Sequence, residues 1–182
     1  MTIRADRVRH WVRSLLLLCL WWSVVGCTAI PAPPPGIAVS VDRVISGQTV
    51  IVRGVPTDPT AAFTIRLQGI HAPDLQQVPW GEAARQALET KLRSTPTITL
   101  VLASAEPDAY DRYWGDLWQA DKWINQWLVA QGHVLVPLVP HPSPQAQQLS
   151  HAQDYARMRG AGLWHPDTPL RQTPAEFRRG ES

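Results

Sequence analysis

The chain has 182 residues, 45% of them apolar, with 17 basic and 15 acidic side chains. That length and apolar share specify one domain with appendages and exclude wholesale disorder. Residues 1–26 read as a cleaved leader; without their four Arg and one Asp, 13 basic groups face 14 acidic ones, which excludes the overall basic excess typical of nucleic-acid binders unless folding gathers Arg43, Arg53, Arg66 and Arg112 on one face.

In chain order, Arg4, Arg7, Arg9 and Arg13 precede an apolar run, residues 15–22. The run is too short for a comfortable membrane span and fits a signal peptide. Val24-Val25-Gly26-Cys27 then resembles a bacterial lipobox, whose Cys becomes lipidated and N-terminal after cleavage. The other cysteine, Cys19, lies inside the leader, so Cys27 has no disulfide partner and has a use as an anchor. This gives an exported, membrane-anchored bacterial lipoprotein, with the membrane as its first partner. Residues 27–36 hold the lipidated Cys and a Pro-rich spacer, extended and semi-rigid.

Residues 37–52 are rich in Val and Ile, with Ser46-Gly47 as a turn signal, and predict two strands or one bent strand. Residues 54–60 form a loop and 63–70 a further strand. A helix over 81–92 follows from Ala84, Leu88 and Leu92 at four-residue spacing. Residues 97–103 predict a fourth strand, 105–113 a polar loop and 117–120 a short fifth strand. A second helix is expected over 121–130, a weak strand over 134–139 interrupted by Pro137, and a third helix over 145–159 with Leu149, Ala152 and Ala156 on one face. The domain spans 37–165, with Trp164 capping its core; 166–182 read as a polar tail.

The chemistry concentrates in residues 65–74, Ile-Arg-Leu-Gln-Gly-Ile-His-Ala-Pro-Asp. Arg66 sits within the strand, and Pro73 breaks the ladder just before Asp74. An arginine in a strand and a carboxylate past its end can converge on one ligand. A phosphate suits the planar guanidinium fork; an edge strand with a solvated Arg is the alternative.

The neighbouring segments are Ser46-Gly47-Gln48-Thr49-Val50, Asp111-Arg112-Tyr113-Trp114-Gly115 and Ile124-Asn125 through Gly132. In this order they resemble the staphylococcal-nuclease (thermonuclease) family, and the ending Pro174-Ala175-Glu176-Phe177-Arg178-Arg179 is similar too. The resemblance implies an α+β fold, an OB-fold five-stranded β-barrel with three helices. It also implies phosphodiester hydrolysis with calcium held by carboxylates, a glutamate as base and two arginines on the phosphate.

On the matching positions, Arg66 is the first arginine, Thr49 the threonine, and Asp74 a carboxylate one methylene shorter than the glutamate. The rest departs from the family's pattern. Gln48 and His71 replace the two metal aspartates, Ser46 replaces a nearby acid, and Gly115 falls at the second arginine. The hairpin before Asn125 is also shorter than the family's. The calcium ligands are not retained, so no cofactor follows. Groups that act as a unit fail together, which implies impaired hydrolysis and a binding or assembly module. The alternative is an active extracytoplasmic metal-dependent endonuclease using Arg66 and Asp74 on DNA or RNA.

Two further features stand out. His71 and Asp74, with His133, offer imidazoles that suit zinc or copper; solvated loop histidines are the plainer reading, and no metal is assigned. Trp114, Trp118, Trp123 and Trp127 fall within 14 residues. They serve either core packing and barrel closure or an exposed platform for a protein, glycan or nucleic-acid partner. Trp123 and Trp127 are expected on one helix face, and Trp114 and Trp118 on one strand face.

Overall fold

The computed structural model describes residues 35–95, 97–138 and 143–180. The expected leader, Cys27 and most of the Pro-rich spacer lie outside the described residues. The described strands are β1 (Ile37–Ser46), β2 (Thr49–Arg53), β3 (Phe63–Leu67), β4 (Ile98–Leu102), β5 (Arg112–Gln119) and β6 (Lys122–Trp123). The helices are α1 (Trp80–Arg93), α2 (Ile124–Ala130), α3 (Pro144–Met158) and α4 (Pro174–Gly180), with a 3-10 turn at Gly162–Trp164.

The Val/Ile-rich β1 serves two neighbours. Its first residues pair antiparallel with β4, Val39 against Ile98, and its remainder pairs antiparallel with β2, Val44 against Val50. Register shifts between Val41 and Arg43 and between Val44 and Ser46 bend it. An extra residue in a strand turns the following side chains to the other face. Val39 and Val44, an odd number apart, therefore both reach the core. Strands β2 and β3 alternate regularly: Val50, Val52, Ile65 and Leu67 point inward, leaving Thr49 and Arg66, directly paired, on the outer face.

The sheet order is β3-β2-β1-β4-β5-β6, and β3 also pairs parallel with β5, which closes five strands into a barrel. This is the expected α+β class. Helix α1 lays Ala84, Leu88 and Leu92 against the barrel, as the spacing predicts, and Gly81 seats its first turn. A Cβ on Gly81 would lie 1.9 Å from the Asp74 carbonyl oxygen, so only glycine permits that approach. Helix α3 begins on Ser143, whose hydroxyl accepts from the Ala146 N–H at 3.2 Å, and buries Leu149, Ala152, Gln153 and Ala156.

Several expected boundaries shift. Strand β5 starts at Arg112, inside the expected polar loop, because its pairing with β3 and β4 is non-local and overrides a polar stretch. Helix α2 starts at Ile124, since Lys122 and Trp123 pair back onto β5. Trp123 therefore leaves the helix face expected for it and stacks, buried, on Trp118 with centroids 5.9 Å apart. The weak strand at 134–139 reduces to one bridge, Leu135 to His71. Leu163, rather than Trp164, is the buried side chain of the 3-10 turn.

The expected tail contains a fourth helix. Thr173 and Glu176 form a reciprocal cap: the Thr173 N–H donates to Glu176 Oε2 at 2.8 Å and the Glu176 N–H to Thr173 Oγ1 at 3.3 Å. Among the described residues, no helix is long and apolar enough to cross a membrane.

A buried carboxylate ties the barrel to α2. Asp116 accepts from Gln68 Nε2 at 2.5 Å, Trp123 Nε1 at 3.0 Å and Asn125 Nδ2 at 2.8 Å. Burial raises its pKa above the usual carboxylate value, against the donors from Gln68 and Trp123. The folded state then holds a proton that the unfolded state releases first, so Asp116 makes stability fall as pH rises above about 4 through its raised pKa. Asp116→Asn should flatten that part of the stability–pH curve. Asp116→Ala leaves three donors unpaired and should cost about 2 kcal/mol or more in urea unfolding at neutral pH.

Candidate functional site

The site begins with a strand pairing. Arg66 in β3 lies directly opposite Thr49 in β2 on one side and Trp114 in β5 on the other. Its guanidinium carbon sits 5.1 Å from the centre of the Trp114 ring, a cation–π contact that fixes the side chain. Its Nε is buried without a hydrogen-bond partner. Burial comes first among the causes that lower its pKa, followed by the like charges of Arg112 and Arg178, with Asp108 opposing. An arginine held this way, beside other cations and with a donor unused, is suited to an anion.

The turn between β1 and β2 supplies Gln48, which is buried. Its Oε1 accepts from the Ala72 N–H at 2.9 Å, and its backbone carbonyl accepts from the Leu67 N–H at 2.8 Å. The side chain that stands for a metal aspartate is thus a brace for the loop after β3. That loop is pinned again at His71, whose N–H and C=O exchange hydrogen bonds with Leu135 at 2.7 and 2.8 Å. Burial depresses the His71 pKa, and the charges of Arg178 and Arg66 depress it further, so the imidazole is held neutral at pH 7.

Asp74 is turned to local work. Its Oδ1 accepts from the Gln76 N–H at 3.1 Å, and its own N–H donates to Gln77 Oε1 at 3.0 Å. No ion pair joins it to Arg66 among the described residues. Asp74 lies in the loop that follows β3, and no hydrogen bond joins it to Arg66 among the described residues.

At the second arginine's position, Gly115 is buried where β5 crosses close to β4. A Cβ there would meet the Val101 carbonyl oxygen at 2.7 Å. Arg112, at the start of β5, is engaged: Nε and Nη2 donate to Asp108 Oδ2 at 3.0 and 2.8 Å, and that pairing pulls the Asp108 pKa down to about 2. Arg53 is likewise tied to Asp42, and of the other candidate arginines it is Arg112 whose charge acts on Arg66.

Calcium, which the resemblance implies, does not fit these side chains. Hard cations require several oxygen ligands, usually with anionic charge. Here Gln48 Oε1 already holds Ala72, His71 offers nitrogen, and the charges of Arg178 and Arg66 act on His71. Among the described residues no three His, Cys, Asp or Glu side chains group to hold a metal ion. His133, half-buried with its pKa lowered by burial, packs its ring 6.0 Å from that of Trp127.

The four tryptophans divide among three places: Trp114 under Arg66, Trp118 on Trp123, and Trp127 between His133 and Lys91. Sequence reasoning missed Arg178, Asp108 and Gln77. The Thr173-x-x-Glu176 spacing was the available signal for the helix that carries Arg178.

The family model described as "Staphylococcal nuclease homologue" matches residues 64–166, taking in Arg66, His71, Asp74 and Gly115. The chain is 26% identical over 154 residues to "Staphylococcal nuclease domain-containing protein 1" of Drosophila melanogaster, covering 76% of this chain and 16% of that protein. It is 28% identical over 170 residues to "Endonuclease YhcR" of Bacillus subtilis (strain 168), covering 83% of this chain and 14% of that protein. The chain thus spans a small part of both relatives.

The close crossing at Gly115 has a measurable consequence. Gly115→Arg should fail to raise phosphodiester cleavage and should cost about 2 kcal/mol or more in urea unfolding, because the added side chain displaces β4.

Proposed function

The chain belongs to the staphylococcal nuclease family, and from that premise we propose that it binds a phosphodiester at Arg66 while being impaired in hydrolysing it. The observation that carries this reading is the Gln48–Ala72 hydrogen bond. It fills, with a neutral amide already satisfied by the backbone, the place where the family needs an anionic metal ligand. What remains is the phosphate-binding half of the chemistry: a guanidinium seated on Trp114 with a donor unused. Among the described residues no cluster of acids takes their place, and catalysis by a set of groups that act as a unit collapses when most are lost.

The near-balanced charge of the chain after its leader limits affinity, since neutralising phosphates with many Lys and Arg is what gives tight binding. The domain is therefore a modest-affinity binding or assembly module. The setting of Cys27, after an Arg-rich, apolar leader and before a Pro-rich spacer, supports an extracytoplasmic membrane tether. The likeness to a protein named an endonuclease favours the alternative, an active metal-dependent endonuclease working through Arg66 and Asp74.

One assay separates the two. The purified full chain, incubated with DNA and RNA across calcium, magnesium, manganese and zinc, should show no cleavage above background. It should still bind single-stranded oligonucleotide, weakened about tenfold or more in Arg66→Ala. Cleavage that Arg66→Ala abolishes would establish the endonuclease instead. The tether is checked separately: Cys27→Ser should move the protein from the membrane fraction to the soluble one and remove the mass of the acyl groups.

A further inference from the structure

The turn that leads into β5 is built around one side chain. Asp108 Oδ1 accepts from the Tyr110 N–H at 2.9 Å and from the Arg112 N–H at 3.1 Å, while Oδ2 takes the Arg112 guanidinium. The backbone closes the same loop: the Asp108 N–H donates to the Arg112 carbonyl at 2.8 Å, and the Asp111 N–H to the Asp108 carbonyl at 3.0 Å. Asp111 turns the chain at φ 57°, a left-handed value that aspartate adopts more readily than most residues. These bonds all lie within five residues, so the shape of the turn is set locally.

Out of this fixed turn stands Tyr110. A tyrosine ring gains most from burial, yet this residue is 77% exposed. The Arg112 guanidinium carbon lies 4.7 Å from the centre of its ring, a cation–π contact that steadies it from one side. At that exposure the rest of the ring is open to solvent.

Strand register connects Tyr110 to Arg66. Arg112 and Trp114, two apart on β5, point to the same face. Tyr113 between them turns to the other, against Phe63 and the core. Trp114 is paired directly with Arg66, whose guanidinium lies over its ring. Arg112 is paired with Thr64, so along the strands it stands about 6.5 Å from the Trp114–Arg66 pair. The outer face of the β3–β5 seam thus runs from Tyr110 through Arg112 to Arg66 on Trp114, an open ring at the end of a cationic row.

We propose that Tyr110 is a base-stacking platform, whose open face takes an unpaired nucleobase of the strand that Arg66 holds by a phosphate. This rests on the reading that Arg66 binds a phosphodiester. Stacking adds affinity without adding positive charge, which suits a chain with 17 basic groups against 15 acidic ones. Every base has a π-face, so the contact tolerates sequence; bases in a duplex are already stacked on one another, so it selects single strands. A ring already fixed by its turn loses little freedom when a base settles on it.

The test measures binding of a fluorescently labelled short oligothymidylate, and of an abasic oligonucleotide of the same length, to the full chain in EDTA at several salt concentrations. The parent should prefer the oligothymidylate. Tyr110→Ala should weaken oligothymidylate binding about tenfold, the loss of one stacked base, and leave abasic binding unchanged. Its salt slope should match the parent's, because stacking neutralises no phosphate, whereas Arg66→Ala should lower the slope by about one. Tyr110→Trp should bind at least as tightly as the parent. Oligothymidylate binding that falls in Arg66→Ala but stays within about twofold in Tyr110→Ala would overturn the platform and leave the Arg66 reading standing. So would equal affinity of the parent for the abasic strand, or a lowered salt slope in Tyr110→Ala, which would trace the effect to Arg112. No binding of either strand by the parent would overturn both readings.

Discussion

The parallel pairing of β3 with β5 is the constraint on which the rest of the molecule depends. The other strand pairs are antiparallel, and this one joins β3, at one end of the sheet order, to β5, closing five strands into a barrel. A parallel pair needs a long connection, and here the connection carries α1 and β4. The pairing fixes Arg66 beside Trp114 and Leu67 beside Gly115. One residue later the ladder ends, and side chains take over: Gln68 N–H reaches the Gly115 carbonyl while its amide reaches Asp116. The buried Asp116 cluster thus continues the seam of the barrel into α2, where Asn125 also donates to the Gln68 carbonyl. Breaking that cluster loosens the end of the strand that carries Arg66.

The site that results is electrostatically one-sided. The charges of Arg112 and Arg178 act on Arg66, and Asp108, paired with Arg112, opposes them. A metal-dependent hydrolase needs both halves, a cation held by acids and cations on the phosphate. On the proposed reading, this chain keeps the second half at Arg66. The loss at Gly115 is built into the packing of β5 on β4, so the strand geometry and the missing arginine are one fact.

Much of the barrel was legible in the sequence because its strands announce themselves through Val and Ile in β1 and β2 and through the turn at Ser46-Gly47. Helix α1 was legible in its Ala84-Leu88-Leu92 spacing. Strand β5 was only half legible, because Asp111-Arg112-Tyr113 is polar and the strand exists through its partners. The start of α2 was misplaced because a two-residue hairpin strand leaves no periodicity to read. At the site, Gln48, His71 and Gly115 were visible as departures from a pattern, but their new uses were not. That Gln48 grips Ala72, or that Gly115 admits a close crossing, depends on distances between segments far apart in the chain. The helix bearing Arg178 was hidden behind a stretch that reads as polar overall, with its cap signal present but embedded.

The amide of Gln48 has a consequence for how the loop responds to its surroundings. A loop organised by carboxylates around an ion takes its shape from the medium, changing with ion concentration, competing chelators and acidity. A loop organised by an uncharged side chain on a backbone N–H takes its shape from the chain alone. The geometry around His71 and Ala72 is therefore set once, during folding, and carried unchanged into whatever ionic environment the protein meets.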